Sequence, residues 1–254
     1  MVLPMIYAHR GASFELPENT LESFDLALSL GADAIETDAQ LTRDGRVVLA
    51  HDLDGGRLAG VARLLSDLTW TELREWDLGA RFVPRRPGAF REGQRYRMTL
   101  LEDALAAYKG VFFNVDAKQT APDMMPALLR AIRRASAEDR VRIASFSTAN
   151  LRRARALGWT GETGLGPSEI ARIVFAPRLA LRWLRTRGQA AQVPRRAYAV
   201  PFASQATIDR FHAVGVRVDF WTNDDPAEAR TLFAMGADGV MTDDPRTLCA
   251  SSAI

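Results

Sequence analysis

The sequence predicts an α/β fold in which parallel strands alternate with helices, at a size that suits a single β/α barrel. Short apolar runs alternate with segments of helical period over most of the chain, which is the pattern of a parallel sheet covered by helices. The 254 residues fit one such barrel, because barrels of this class commonly reach about 250 residues as one domain. Polar residues follow several of the apolar runs, at the strand ends where these barrels carry functional groups. We therefore expect one domain over residues 1–254.

The order of the elements follows from the apolar runs and the signals for helix ends. Strands are predicted at 5–9, 34–41, 46–51, 111–117, 141–145, 161–165, 197–201, 216–221 and 237–241. Thr20 is the predicted N-cap of a helix that ends at Gly31. Further helices are predicted near 69–77, 99–108, 122–137, 148–157, 205–214 and 226–235. Nine strands exceed the eight places of a closed barrel, so 46–51 or a neighbour is expected to lie outside the regular alternation.

Two segments interrupt this alternation. Residues 53–98 are too long for an ordinary strand–helix loop and predict an insertion over one rim of the barrel. In the second segment, 167–196, the side chains of Arg178, Arg182 and Arg185 share one helical face. This pattern favours an outer barrel helix with an arginine-rich solvent face; a helix lying weakly on a membrane surface is the alternative.

Composition excludes several classes of protein. Hydrophobic residues make up 47% of the chain and charged residues 25%, which is ordinary for a globular protein. No apolar run approaches the roughly 18 residues of a membrane span, and the amino terminus lacks a basic leader, so no cleaved signal is expected. The single cysteine, Cys249, suits a reducing compartment, so a cytoplasmic location is expected. The arginine-rich stretches lack a nucleic-acid recognition pattern, so we expect no nucleic-acid partner; the oligomeric state stays open.

Two of the three histidines stand in charged clusters at the ends of apolar runs. His9 ends the first run and His51 ends the third. Between them, Glu36 and Asp38 lie two apart on a predicted strand and therefore point to the same face. Two carboxylates on an otherwise apolar face call for a compensating cation. Together with the two imidazoles they predict a metal-assisted acid/base site.

A hairpin explains how His51 would reach the carboxylates. A turn at 42–45, with Gly45 free to adopt a positive φ, would place Leu41 opposite Arg46 and, counting back, Glu36 opposite His51. Directly opposed side chains on one face have Cβ atoms about 5 Å apart. The alternative is a surface hairpin with solvated charges.

The remaining histidine and the last acidic pair receive structural interpretations. His212 lies in a helical run between Phe211 and Ala213 and is predicted to be structural. Asp243 and Asp244 precede Pro245, which favours a helix cap over a catalytic role.

A series of motifs over nearly the full chain resembles one known family. These motifs are Ala8-His9-Arg10-Gly11, Pro17-Glu18-Asn19-Thr20, Ile35-Glu36-Thr37-Asp38, His51-Asp52, Asn114-Val115-Asp116-Ala117-Lys118, Ser145-Phe146, Trp221-Thr222-Asn223 and Gly236-Ala237-Asp238-Gly239-Val240-Met241-Thr242-Asp243. In this order they are similar to the motifs of the glycerophosphodiester phosphodiesterase family. The first block is highly specific.

The resemblance implies a variant TIM-type (β/α)8 barrel with a small insertion after the second motif, which matches 53–98. It implies a divalent ion, Mg²⁺ or Ca²⁺, held by Glu36, Asp38 and Asp116. The implied acid/base pair is His9 and His51. The implied substrate contacts are Arg10 and Lys118 on the phosphate, with Glu18, Asn19 and Trp221 along the pocket. The metal-free alternative pairs Glu36 and Asp38 with Arg10 and Lys118, an arrangement that is costly to bury without further hydrogen bonds.

The sequence departs from the family pattern at two places. Asp116 stands where members often have glutamate, and its side chain is one methylene shorter. After His51-Asp52, many members carry an Arg-Thr-Thr element, whereas this chain has Arg57-Leu58-Ala59-Gly60. The edge of the site next to the insertion is therefore expected to be unusual.

The residues and the resemblance together predict an enzyme that hydrolyses small phosphodiesters with a divalent metal, converting glycerophosphodiesters to glycerol 3-phosphate and an alcohol. The histidines would transfer protons, and either water or the neighbouring glycerol hydroxyl would attack the phosphate. Lysophospholipase D activity on lysophospholipids is an alternative, which a basic amphipathic stretch at 173–187 would favour. A barrel that only binds phosphorylated ligands is a non-enzymatic alternative, although both histidines and both strand carboxylates are present.

Overall fold

The computed structural model describes residues 4–197 and 200–251. Its strands are β1 (Met5–His9), β2 (Ala34–Leu41), β3 (Val47–Leu49), β4 (Asp54–Gly55), β5 (Val61–Leu64), β6 (Phe112–Ala117), β7 (Val141–Ala144), β8 (Glu162–Thr163), β9 (Ala190–Val193), β10 (Arg196–Ala197), β11 (Val200–Pro201), β12 (Arg217–Phe220) and β13 (Gly239–Thr242). Its α-helices are α1 (Leu21–Ser29), α2 (Trp70–Leu73), α3 (Leu101–Ala107), α4 (Met125–Arg134), α5 (Thr148–Ala156), α6 (Pro167–Phe175), α7 (Gln205–His212), α8 (Pro226–Ala234) and α9 (Pro245–Ala250). Two 3-10 turns cover Leu65–Asp67 and Arg178–Trp183.

Eight parallel strands form a barrel in the order β8, β7, β6, β2, β1, β13, β12, β9. A parallel bridge between Gly164 and Ala190 joins the two outer strands, and the Leu165 amide donates to the Ala190 carbonyl at 2.8 Å. Outward-facing strand residues such as Ile35 and Phe113 pack with helix residues in one buried core. The predicted TIM-type barrel is confirmed. Within the described ranges, no helix combines the length and apolar character that crossing a membrane requires.

Most of the predicted strands form the barrel, and one of them does not. The run 46–51 forms β3, which pairs antiparallel with β2 outside the barrel, as expected for a ninth strand. The prediction of 197–201 as a barrel strand is wrong, because β10 and β11 form a separate antiparallel pair there; residues 198 and 199 lie outside the described residues. The eighth barrel strand is β9, whose Ala190-Ala191 start has weak strand propensity.

The hairpin of β2 and β3 has a register one residue away from the predicted one. Leu41 pairs with Val47, not with Arg46. Five residues, 42–46, separate this pair, whereas the predicted pair leaves four. Inside the turn the Thr42 amide donates to the Arg46 carbonyl at 2.9 Å, and Gly45 has the expected positive φ of 76°. The prediction that Glu36 lies directly opposite His51 is therefore wrong.

The segment 53–98 forms a small cap over one rim of the barrel. It contains the β4–β5 hairpin, one 3-10 turn and α2, followed by an irregular stretch. Its apolar residues form a separate core with β3 and the loop after β1, and the buried members of that core are Leu16, Val48, Leu65, Leu68, Leu73, Leu78, Tyr96, Met98 and Leu100. Since this core includes β3, we propose that the segment is an insertion within the same domain as the barrel.

The prediction of one arginine-rich outer helix in 167–196 is wrong. The helix α6 ends at Phe175, because Pro177 follows and disfavours helical backbone at the preceding residue. A 3-10 turn covers Arg178–Trp183. Arg178, Arg182 and Arg185 therefore do not lie on one face of a regular α-helix.

The barrel interior contains a buried ion pair at the edge opposite to His9. The guanidinium of Arg142 donates to Asp219 Oδ2 at 2.7 Å, to the Tyr7 hydroxyl at 3.2 Å and to Glu162 Oε2 at 2.9 Å. Both Arg142 and Asp219 are fully buried. Gly239 leaves the room for this cluster, because a Cβ there would lie 2.6 Å from Asp219 Oδ1.

We expect Asp219→Ala to destabilise the protein by about 3–5 kcal/mol, because it leaves the guanidinium of Arg142 buried without its main partner. Urea unfolding followed by circular dichroism measures the change. Glu75→Ala is the control: Glu75 pairs with Arg74 and Arg97 at the surface, so its loss should cost less than about 1 kcal/mol. Equal effects of the two substitutions would contradict this account of the interior.

Candidate active site

Charged side chains of β1, β2 and β6 meet at the carboxyl ends of these strands. The pairing register places His9 beside Glu36 and Asp38 beside Asp116. Lys118 follows one residue after β6 ends. The structure therefore places the three predicted metal ligands on two neighbouring strands, at the edge where barrels of this class carry their chemistry.

Asp38 is the most fully paired of these acids. Lys118 Nζ lies 2.8 Å from its Oδ1 atom, and Arg10 Nε lies 3.0 Å from its Oδ2 atom. The side-chain amide of Asn19 also donates to Oδ2, at 3.2 Å. Burial alone would raise the pKa of Asp38, but the charges of Arg10 and Lys118 outweigh it and hold the pKa below its usual range. Asp38 is therefore a carboxylate with compensated charge.

Glu36 and Asp116 are buried and carry oxygen atoms without a hydrogen-bond partner. These atoms are Glu36 Oε2 and Asp116 Oδ1. Burial and the charge of Asp38 raise the pKa of Glu36 to about 8. Burial also raises the pKa of Asp116, although Lys118 Nζ at 2.7 Å partly offsets it. Unpartnered buried oxygens are costly, which makes this pair a place where a cation would be stabilised.

His9 lies between two carboxylates. Its Nδ1 is 2.7 Å from Asp243 Oδ1, and its Nε2 is 3.8 Å from Glu36 Oε2. Burial lowers the pKa of His9, but the charge of Glu36 and the hydrogen bond to Asp243 outweigh it, so the pKa lies above its ordinary value. The Ser13 hydroxyl donates to the same Asp243 oxygen at 2.8 Å. The Nε2 atom of His9 therefore faces the acid cluster.

The Asp243 contact corrects the prediction of a cap at 243–244. Only Asp244 caps α9, since its side chain accepts from the Thr247 amide at 3.2 Å. Asp243 is held by Asp224, whose carboxylate accepts from the Asp243 amide at 2.8 Å. In the sequence, the one indication of a role for Asp243 in the site is that it directly follows the last strand. No local pattern pairs it with a histidine 234 residues away.

His51 lies on the side of the site next to the insertion. Its Nδ1 is 2.9 Å from Asp52 Oδ1, and Arg57 Nε is 2.6 Å from Asp52 Oδ2. Arg57 also donates two hydrogen bonds to the carboxylate of Glu18, at 2.6 and 2.9 Å. Despite the register shift, His51 lies near enough for a positive charge on its ring to favour the ionised form of Asp38. The departure at 57–60 thus retains an arginine that connects His51 to Glu18.

Arg10 and Asn19 are held by the backbone around the acid cluster. Both have positive φ, 62° and 60°, which is uncommon for residues with a side chain. The Arg10 amide donates to the Glu36 carbonyl at 2.8 Å, and the Asn19 amide donates to the Arg10 carbonyl at 3.0 Å. The Arg10 guanidinium also contacts Glu18 at 3.1 Å. These contacts aim the Arg10 and Asn19 side chains at Asp38.

An aromatic pair lies next to Lys118. Trp221 follows β12 and meets Phe146 edge to face, with 5.6 Å between the ring centroids. Lys118 Nζ lies 5.7 Å from the centroid of Phe146, which is 66% exposed. Trp221 is therefore placed at the rim, as predicted, and Phe146 forms an exposed apolar surface beside it. His212 pairs with Asp238 at 2.8 Å, away from this site, as its structural interpretation requires.

The donors suit a hard divalent ion in their chemistry. Across residues 4–197 and 200–251, no three His, Cys, Asp or Glu side chains converge in a ready-made metal-binding group. The unpartnered oxygens of Glu36 and Asp116 are nevertheless the ligand type that Mg²⁺ and Ca²⁺ prefer. The residues present therefore fit such an ion, with Asp38 as the third carboxylate beside them.

Comparisons with known proteins place the chain in a family. The sequence model of the Glycerophosphoryl diester phosphodiesterase family matches residues 9–247. A probable glycerophosphodiester phosphodiesterase of Mycobacterium tuberculosis is 35% identical over 93% of this chain and 86% of its own length. A glycerophosphodiester phosphodiesterase of Caldanaerobacter subterraneus is 30% identical over 96% of each chain. A phosphodiesterase of Oleispira antarctica, solved with the product sn-glycerol-3-phosphate, has a TM-score of 0.81 at 24% identity and covers 98% of this chain and 96% of its own.

The chain therefore belongs to the glycerophosphoryl diester phosphodiesterase family. This confirms the resemblance and the prediction of a phosphoric diester hydrolase. The structural likeness agrees with the barrel fold.

We expect Asp243→Asn to lower the pKa of His9, because it removes the negative charge that stabilises the imidazolium. The protonated His9 stabilises the fold below its unfolded pKa, and this stabilisation is lost as pH rises through the folded pKa. In Asp243→Asn that loss should begin at lower pH. NMR titration of the His9 ring protons measures the pKa. Asp244→Asn is the control, and an unchanged His9 titration in Asp243→Asn would contradict the assignment.

Proposed function

We propose that this enzyme hydrolyses glycerophosphodiesters to glycerol 3-phosphate and an alcohol, with a divalent metal and an acid/base pair formed by His9 and His51. The observation that carries the proposal is the cluster of three buried carboxylates between two histidines and two cations at one barrel edge. The relatives named glycerophosphodiester phosphodiesterase, and the neighbour solved with glycerol 3-phosphate, support this substrate class. The substrate is thus a small phosphodiester.

Arg10 and Lys118 would bind the phosphate. Both carry their charge at the acid cluster, and Arg10 has a planar guanidinium that suits two phosphate oxygens. Their present partners are Asp38, Glu18 and Asp116. A phosphodiester bound here would replace part of these ion pairs, because its oxygens would accept hydrogen bonds from the Arg10 guanidinium and the Lys118 ammonium. Such positive groups stabilise charge that develops on the phosphate oxygens.

The divalent ion would be held by Glu36, Asp38 and Asp116. Bound there, a hard cation would act as a Lewis acid on a phosphate oxygen. The unpartnered oxygens of Glu36 and Asp116 support this assignment. The side chain of Asp116 is shorter than that of glutamate. Asp116 would nevertheless reach the ion together with the other two carboxylates, because it pairs directly with Asp38 across β2 and β6.

His9 and His51 would transfer the protons. His9 Nε2 faces the carboxylates while its Nδ1 is held by Asp243, which leaves Nε2 to exchange a proton with substrate. His51 Nδ1 is held by Asp52 in the same manner. In each histidine a carboxylate fixes one ring nitrogen, so the two imidazoles can serve as acid and base in turn. This holds whether water or the glycerol hydroxyl attacks the phosphate. Glu18 and Asn19 would line the pocket, and Trp221 offers an apolar face for the glycerol carbons.

Lysophospholipase D activity is the weaker interpretation. The basic amphipathic stretch at 173–187 that would favour it does not form one amphipathic helix, because α6 ends at Phe175 and a 3-10 turn follows. A barrel that only binds ligands is disfavoured by the family and by the presence of both histidines with paired carboxylates.

We expect the protein to release glycerol 3-phosphate from glycerophosphocholine with Mg²⁺ or Ca²⁺, and to lose this activity with EDTA. Glu36→Gln should reduce both the rate and the affinity for the ion, because it removes a charged ligand. Enzyme-coupled detection of glycerol 3-phosphate measures the rate, and isothermal titration calorimetry measures metal binding. Glu102→Gln, which changes a partly buried residue paired with Arg46 and Arg134, should change neither. Unchanged metal affinity in Glu36→Gln would exclude Glu36 as a ligand.

The three histidines provide a matched set of variants. His9→Ala and His51→Ala should each reduce kcat by about 10²–10⁴-fold, since each removes a proton-transfer group. His212→Ala should retain near-wild-type kcat, because the ion pair of His212 with Asp238 lies away from the site. Circular dichroism verifies folding of all three. A near-wild-type rate in His9→Ala or His51→Ala would refute the acid/base assignment.

A further inference from the structure

The end of α6 and the segment that follows it present large apolar side chains to solvent. Phe175, Leu179 and Trp183 are 75%, 78% and 66% exposed. In a monomer, large apolar side chains are ordinarily buried. A group of exposed apolar side chains bordered by charged residues therefore indicates an interaction surface. We call these three residues, with the arginines among and after them, the 175–187 surface.

This segment is held firmly in place. Ile173 and Leu181 are buried in the core of the neighbouring barrel half. The Arg210 guanidinium of α7 donates to the Ile173 carbonyl at 2.9 Å and also to the Ala176 carbonyl. The exposed apolar side chains therefore stand on an anchored backbone.

The chain on either side of the apolar side chains carries only positive charge. Between Glu169 and Asp209 the sequence has no acidic residue, whereas it has seven arginines. Four of them belong to the 175–187 surface: Arg178, Arg182, Arg185 and Arg187. All four are exposed, and within the described part of the chain none forms an ion pair with a carboxylate. The guanidinium of Arg182 stacks on the ring of Trp183, 3.9 Å from its centroid.

The surface lies away from the active site. Helix α6 begins beside α5, where Ser168 Oγ contacts Thr148 Oγ1 at 3.1 Å, and α5 starts just after Phe146 at the catalytic edge. Because helices of a β/α barrel run antiparallel to the strands, the end of α6 at Phe175 points toward the opposite edge. A partner on the 175–187 surface would leave the catalytic mouth open to solvent.

We propose that the 175–187 surface docks the enzyme on an anionic lipid bilayer. Arginine and tryptophan suit the headgroup region, where the guanidinium meets phosphate while the stem and the ring contact apolar atoms. Phe175 and Leu179 would enter the acyl boundary, a role that phosphate binding on a nucleic acid would not require. A second copy is disfavoured, because a symmetric interface would place the same unpaired arginines against each other.

Sedimentation of the full chain with vesicles tests the proposal. Binding is expected to vesicles of phosphatidylcholine with phosphatidylglycerol, to weaken with salt, and to be lost with phosphatidylcholine alone. Arg178→Gln/Arg182→Gln should reduce the partition coefficient about 25-fold, at about fivefold for each charge. Leu179→Ser/Trp183→Ser should reduce it about tenfold or more.

Two control variants accompany these. Val83→Ser alters an equally exposed apolar residue of the insertion, and Arg130→Gln/Arg133→Gln removes two exposed arginines from α4; both should bind as wild type. Release of glycerol 3-phosphate from a soluble substrate should be unchanged in every variant, which verifies folding. Vesicle binding that both 178–183 double variants retain would overturn the proposal. The proposal would also be overturned if the wild-type protein did not bind the vesicles and instead self-associated or bound nucleic acid in a way that these variants abolish.

Discussion

The burial of three carboxylates at the ends of two neighbouring strands is the constraint on which the rest of the site depends. Glu36, Asp38 and Asp116 would repel one another in a medium of low polarity unless cations lay between them. Lys118 and Arg10 compensate Asp38, and the protonation of Glu36 is favoured by a pKa of about 8. The compensation is incomplete, since two buried oxygens remain without a partner. This residual demand for positive charge is what would suit the site to a divalent ion.

Closure of the barrel links the two ends of the chain at this site. His9 ends the first strand and Asp243 follows the last, and their side chains meet only because β1 pairs with β13. At the other end of the interior, Arg142 of β7 reaches across to Asp219 of β12 and to Tyr7 of β1. The same closure that stabilises the interior therefore orients the histidine.

The insertion contributes to the second histidine through a chain of charges. Arg57 contacts Asp52, which holds His51, and it also contacts Glu18, which in turn contacts Arg10. The insertion has its own apolar core against β3, so the position of Arg57 depends on that core. Farther along, Arg86 binds Asp244, next to the Asp243 that orients His9. Both histidines are thus supported by residues that the insertion contacts.

The sequence by itself determined the class of the fold, most of the strands, and which acids share a face, because strand periodicity and helix caps act over a few residues. It also determined the family, through motifs that each lie within one loop or strand end. Only the tertiary structure decided the register of the β2–β3 hairpin, where one additional loop residue shifts every pair. It also decided that β9, rather than 197–201, is the eighth strand, and that Asp243 holds His9 rather than capping α9. These outcomes depend on contacts between residues far apart in the chain, which local pattern does not encode.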